Sequence, residues 1–263
     1  MQANFRGGIR LLGYPLALAV LAYASYSDVK TREVSDLVWL IGYPAGLALS
    51  LFETLTGGFP VTALLLSAGL SACLAALLSR LGLFGGADAL ALLFLGSTVP
   101  VYPEGLPLLV DLLPLPFLAA LCNAALLSLA WPLAVFALNV ADVLRGRNPL
   151  RDVEVDFWGI VALMFTARRV SLETLTSGLH YFPAEKLVEN NGRLVRIPVY
   201  FVKAEADVAT ITKQMVERRE LYAEGVLASP TLPMVAFLAA GLALTPFGNM
   251  TLQAVRLLAG LNF

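Results

Sequence analysis

The chain has 263 residues, of which 58% are hydrophobic and 14% charged, with a formal net charge of −1. A soluble domain carries about 25% charged residues, so this deficit excludes an ordinary water-soluble globule and makes a bilayer the main solvent. The even charge balance gives no sign of the basic face that nucleic-acid binding requires.

A membrane-crossing helix needs about 20 apolar residues, and six stretches are expected to cross. The first covers about 9–27; Arg6 and Arg10 ahead of it and Ala22-Tyr23-Ala24 near its end also fit a cleavable signal peptide, but the later spans keep the chain in the membrane either way. The second covers 37–55, the third 60–80, the fourth about 88–102, the fifth about 115–143 and the sixth about 231–247. Lys30 and Arg32 lie in the first connection and Arg80 in the third, whereas the second has no Lys or Arg and the fourth has Glu104 and Asp111. The excess of positive charge on one side makes that side cytoplasmic and the N-terminus external.

Residues 145–230 differ sharply. They hold 12 Lys/Arg and 11 Asp/Glu, against 18 and 19 in the whole chain. They are expected to form a small cytoplasmic α+β domain between a membrane domain (1–144) and the last span with its tail (231–263). Within this segment 159–167 is apolar but too short to span. YFPAEKLVENNGRLVRIPVYF reads as a hairpin turning at Asn190-Asn191-Gly192, and 207–223 has helical spacing. The architecture expected is mainly α and polytopic, with the soluble part inserted before the last helix.

Cys73 and Cys122 lie in apolar runs and read as packing residues. His180 is the single histidine and has no HExxH-like context. No metal or other cofactor is expected.

Carboxylates beside apolar segments are costly and are functional candidates by default. Asp28 follows the first span and Asp88 opens the fourth, and the topology places both at cytoplasmic helix ends at similar depth. Taken singly, Asp28 reads as an interfacial charge and Asp88 as a helix N-cap. Together they can share a proton, because two carboxylates at about 3 Å cannot both ionise. The ionised one can then activate a water while the other polarises a carbonyl. Gly85 and Gly86, just before Asp88, are expected to permit unusual backbone angles and close approach of an extended substrate.

Ser25-Tyr26-Ser27-Asp28-Val29-Lys30-Thr31-Arg32-Glu33-Val34-Ser35-Asp36 resembles the first aspartate motif of the type IV prepilin peptidase superfamily, above all its archaeal preflagellin (prearchaellin) peptidases. Gly85-Gly86-Ala87-Asp88 is similar to its second, GxGD-like motif, with Ala87 where many members have glycine. Bacterial relatives often carry a proline ahead of the Asp36 position, where Val34 and Ser35 stand here. Six spans, the insertion before the last and the lead-in Ala228-Ser229-Pro230-Thr231-Leu232-Pro233 complete the likeness.

The resemblance implies an aspartic endopeptidase with Asp28 and Asp88 catalytic. Its substrates would be archaellin- and type IV pilin-like precursors with basic, Gly-ended leaders, cut on the cytoplasmic side. No methyltransferase activity is implied, since the cysteine-rich zinc region of bifunctional bacterial members has no counterpart here. Glu33 and Asp36 could attract the basic leader, although solvated loop charge, with Asp36 capping a helix, is the simpler account of them. Two other classes fit less well. A small transporter would need polar residues at mid-bilayer, for which Asn123 and Asn139 are the candidates, and internal repeats, which are not seen. A non-catalytic assembly factor would tolerate loss of either aspartate.

Overall fold

The computed structural model describes residues 2–102, 115–177, 180–190, 193–200, 205–248, 250 and 257. In chain order the helices and strands are α1 (Gln2–Thr31), α2 (Asp36–Leu55), α3 (Val61–Arg80), α4 (Gly86–Thr98), α5 (Pro116–Ser128), α6 (Ala130–Leu144), α7 (Phe157–Thr166), β1 (Arg168–Val170), α8 (Leu172–Ser177), β2 (Tyr181–Pro183), β3 (Glu185–Asn190), β4 (Arg193–Pro198), α9 (Glu205–Glu217), β5 (Val226–Pro230) and α10 (Met234–Ala243). The chain forms two compact units, one of Met1–Ser128 with Pro233–Phe263, the other of Leu129–Leu232.

Among the described residues, three of the six expected spans are helical stretches long and apolar enough to cross a bilayer: Asp36–Leu55, Val61–Arg80 and Pro116–Leu144. A turn at Leu129 divides the last into α5 and α6. The fourth and sixth expected spans coincide with the shorter apolar helices α4 and α10. α4 starts two residues before the expected boundary at Asp88, because Gly85 serves as its N-cap and a carboxylate is favourable within a first helical turn.

The first unit is built around α4. Its 13 residues extend about 20 Å, and α1, α2, α3, α5 and α10 all pack against it. Ala91, Leu92, Phe94 and Leu95 are fully buried, as expected of a helix apolar on every side. Small residues permit the close approach. A Cβ on Gly46 of α2 would collide with Thr98, and one on Gly96 of α4 would collide with Ser71 of α3. Polar groups inside this unit are tied across helices: Ser50 Oγ donates to the Thr98 carbonyl at 3.1 Å and Tyr14 Oη to that of Leu242 at 2.6 Å. Asn123, considered above as a mid-bilayer polar site, is buried and donates to the carbonyls of Gly241 and Gly248, each at 3.3 Å. The outward faces of α2 and α3 expose Leu40, Ile41, Phe52, Leu65 and Leu66, the pattern of helices solvated by lipid. Cys73 lies on the exposed side of α3 and is not a core residue as its apolar context suggested; Cys122 is half-buried, and the two are not joined in a disulfide.

In the second unit α6 and α7 pack together through stacked Phe136 and Phe165, ring centroids 4.4 Å apart. Asn139 of α6 donates to the Met164 and Ala167 carbonyls at 2.9 and 2.7 Å, which closes the C-terminus of α7. The apolar run 159–167 is therefore a short helix, capped by Asp156 through a 3.0 Å bond from the Gly159 amide. β1, β5 and β2 form an antiparallel three-stranded sheet in that order. β3 and β4 pair as the expected hairpin, from Glu185↔Pro198 to Asn190↔Arg193; the turn residues Asn191 and Gly192 lie outside the described residues. The hairpin is locked by Glu185, fully buried, which accepts from Arg196 Nε at 2.9 Å, from Arg196 Nη2 at 2.5 Å and from the Leu227 amide at 2.7 Å. The Arg196 guanidinium also lies 4.7 Å from the Tyr222 ring centroid.

Candidate active site

The carboxylates singled out by the sequence occur at one end of the first unit. Asp28 is in the last turn of α1 and Asp88 in the first turn of α4. They are sixty residues apart in sequence, yet close enough to interact electrostatically. α10 completes the constellation. Ser25 Oγ donates to the Val235 carbonyl at 3.3 Å, and the Val235 backbone amide faces the Asp88 carboxylate. The first amides of a helix have no intrahelical acceptor, so the start of α10 offers a donor and a partial positive charge to an acid placed there.

Asp88 is not an N-cap, contrary to its single-residue reading. It is the third helical residue, and its Oδ2 reaches back to accept from the amide of the N-cap Gly85 at 2.9 Å. This bond fixes one carboxylate oxygen. Asp28 is held differently: its Oδ2 is buried and makes no hydrogen bond among the described residues. One acid is thus fastened by the backbone, while the other keeps an oxygen uncommitted.

The glycines act through space and not through unusual backbone. Gly85 has φ −76° and ψ 175°, an extended conformation open to any residue, and Gly86 is helical. A Cβ on Gly85 would lie 3.4 Å from Asp88 Oδ2, whereas one on Gly86 would meet nothing within 4 Å. The left-handed glycine of this connection is Gly82, at φ 71°.

Arg32 was legible only as a topology signal, and its place in the site is new. Its amide donates to the Asp28 carbonyl at 2.9 Å, and the residue has φ 57°, which ends α1. Its side chain interacts electrostatically with both Asp28 and Asp88. The i,i+4 spacing from Asp28 is the sequence signal that could have pointed to it. Val235 carried no such signal, because its contribution is a main-chain amide.

Glu33 lies in the adjoining connection and Asp36 at the start of α2, both with exposed side chains. Ser27 Oγ and Thr31 Oγ1 donate to the Glu33 carbonyl at 2.8 and 3.0 Å, which shapes the connection through the backbone. Asp36 is the first residue of α2 and does not cap it; Ser35 does, accepting from the Leu37 amide at 3.4 Å. Among the described residues no group of three or more His, Cys, Asp or Glu is placed to hold a metal ion.

The chain is mainly helical with membrane-length apolar helices, and it carries two acids, at the ends of separate helices, within electrostatic reach of each other. Residues 16–140 match the type IV leader peptidase family, a stretch that contains both Asp28 and Asp88. The resemblance drawn from the two aspartate motifs is thereby borne out. A preflagellin peptidase of Methanococcus voltae is 27% identical over 148 residues, an alignment covering 52% of this chain and 62% of that protein. The chain therefore spans somewhat less than two thirds of that relative.

Proposed function

We propose that this chain is a membrane-embedded aspartic endopeptidase that removes the leader of preflagellin- and type IV pilin-like precursors. The observation that carries the reading is the approach of Asp28 and Asp88 from separate helices, with Arg32 beside both. The match to leader peptidases and the likeness to a preflagellin peptidase support the substrate class.

In the proposed reaction the two acids share one proton. The ionised carboxylate takes a proton from a water, whose oxygen attacks the scissile carbonyl carbon. The protonated acid hydrogen-bonds the carbonyl oxygen and then stabilises the tetrahedral intermediate. As the C–N bond breaks, the departing amine takes a proton from the dyad, and a carboxylic acid and an amine leave as products. The uncommitted oxygen of Asp28 suits it to hold the water, and the Gly85 bond suits Asp88 to keep its orientation. Open space at Gly86 would let an extended backbone pass beside Asp88.

The same reading places the dyad at the cytoplasmic face, with six spans, an external N-terminus and residues 145–230 as a cytoplasmic domain. Lys30, Arg32 and Arg80 support that orientation. Exposed Glu33 and Asp36 would draw in a basic leader. Incubation of membranes containing the chain with a precursor whose basic leader ends in glycine tests the proposal. Mass spectrometry should show a mature product beginning just after that glycine; an intact precursor would remove the assignment.

A further inference from the structure

The second unit contains a cleft of about 810 Å³ that the proposed chemistry does not use. Among the described residues four arginines line it. Arg169 is a structural member: it donates to the carbonyls of Pro149 at 3.2 Å, Gly225 at 3.3 Å and Arg151. Arg168 is mostly buried, its Nη2 lies 3.7 Å from Asp142 Oδ2, and its Nε has no hydrogen-bond partner among the described residues. Arg147 and Arg219 are exposed at the cleft and make no ion pair among the described residues.

Among the described residues three carboxylates also line the cleft, and two of them are already compensated. Asp142 has Arg145 at 3.8 Å in addition to Arg168, and Glu224 has Arg151 at 2.9 Å. Glu173 is the third, against the free guanidinium groups of Arg147 and Arg219. The net field in the cleft is positive, and arginine is the side chain best matched to phosphate geometry. A basic leader peptide would be repelled from it.

Location selects the occupant. Asp142 is in the last turn of α6, where the apolar stretch Pro116–Leu144 ends and the charged sequence Arg145-Gly146-Arg147 begins. Val143 and Leu144, next to Asp142, are exposed apolar side chains. A site with cationic lining beside the end of a membrane-length helix, with apolar side chains at its margin, fits a ligand that is phosphate at one end and hydrocarbon at the other. We propose that this cleft binds the phosphate of an anionic membrane-lipid headgroup through Arg147, Arg168 and Arg219. The inference does not depend on the peptidase reading.

The test uses the full chain purified in a neutral detergent, titrated separately with dioctanoyl phosphatidylglycerol, dioctanoylglycerol and inorganic phosphate. Binding is read from the melting temperature and from ligand retention in native mass spectrometry. The phosphatidylglycerol should bind saturably and dioctanoylglycerol should not. The double variant Arg147→Gln/Arg219→Gln should weaken binding at least about tenfold, since charge-assisted bonds to phosphate are lost. Arg147→Lys/Arg219→Lys should retain much of it, and Lys213→Gln, outside the cleft, should match the parent. Because Arg147 and Arg219 are exposed, these variants are expected to fold. Inorganic phosphate binding as tightly as the lipid would support the phosphate site and identify a soluble source. Absence of saturable binding by either phosphate compound, or parental affinity in the Gln variant, would overturn the proposal.

Discussion

The Gly85 amide donates to Asp88 Oδ2 at 2.9 Å, so the helix that carries the second acid also fixes that acid's orientation. No equivalent bond restrains Asp28 Oδ2, which is buried without a hydrogen bond among the described residues. The pair is asymmetric before any substrate arrives, and this asymmetry gives the two acids different first tasks in the proposed mechanism.

Arg32 separates charge from fold. A non-glycine residue at φ 57° carries a backbone cost of about 1 kcal/mol. Arg32→Gly should therefore leave the melting temperature near that of the parent while lowering kcat at least about tenfold, because the cation beside both acids is gone. Arg32→Lys should recover part of kcat. Thermal denaturation and steady-state kinetics on the same preparations check both halves.

Gly86 and Gly96 are both in α4, yet they should respond in opposite ways. A methyl group at Gly86 meets nothing within 4 Å, so Gly86→Ala should fold normally and lower kcat/KM by about tenfold through obstruction of the substrate path. A methyl group at Gly96 collides with Ser71 and lies 2.9 Å from the Ser67 carbonyl. Gly96→Ala should lose about 1–3 kcal/mol of stability by overpacking. Denaturation midpoints together with kcat/KM distinguish the two effects.

Arg196→Met would leave the Glu185 carboxylate buried without its ion-pair partner. It should destabilise the second unit by about 3–5 kcal/mol, and Glu185→Leu in the same chain should restore most of that loss. A double-mutant comparison by denaturation is the measurement; a mild effect of Arg196→Met alone would show that the pair is not what locks the hairpin.

Tyr222 makes the second unit sensitive to alkali. Burial, reinforced by the Glu185 charge and opposed by Arg196, pushes its phenol up from 10.0 to about 12. The folded state favours the neutral phenol, so the associated stability is full below pH 10 and is lost as pH rises from 10 toward 12, by about 2–3 kcal/mol. In a series of melts across that window, Tyr222→Phe should flatten the decline.

Legibility in the sequence followed how local each signal was. α2 and α3 were visible because long apolar runs read directly as helices, and β3–β4 because alternation and an Asn-Gly turn specify a hairpin within a few residues. Asp28 and Asp88 stood out as candidates from motifs and from the cost of charge beside apolar helices. The role of Gly85 was misread, since its amide and the room around it matter and its φ is ordinary. The helix caps at Ser35 and Gly85 were read instead onto Asp36 and Asp88, acidic residues in the first turns of the same helices. The electrostatic reach of Arg32 and the Val235 amide depend on how α1, α4 and α10 pack, which no short window of sequence encodes.

Cleavage of a precursor with a Gly-ended leader by membranes carrying the parent chain, Asp28→Asn or Asp88→Asn, at matched protein levels, is the decisive measurement. The parent should release the mature product, and each Asn variant should accumulate in the membrane yet lose cleavage by at least about a thousandfold. Full activity in either variant would mean that the two acids do not work as a pair.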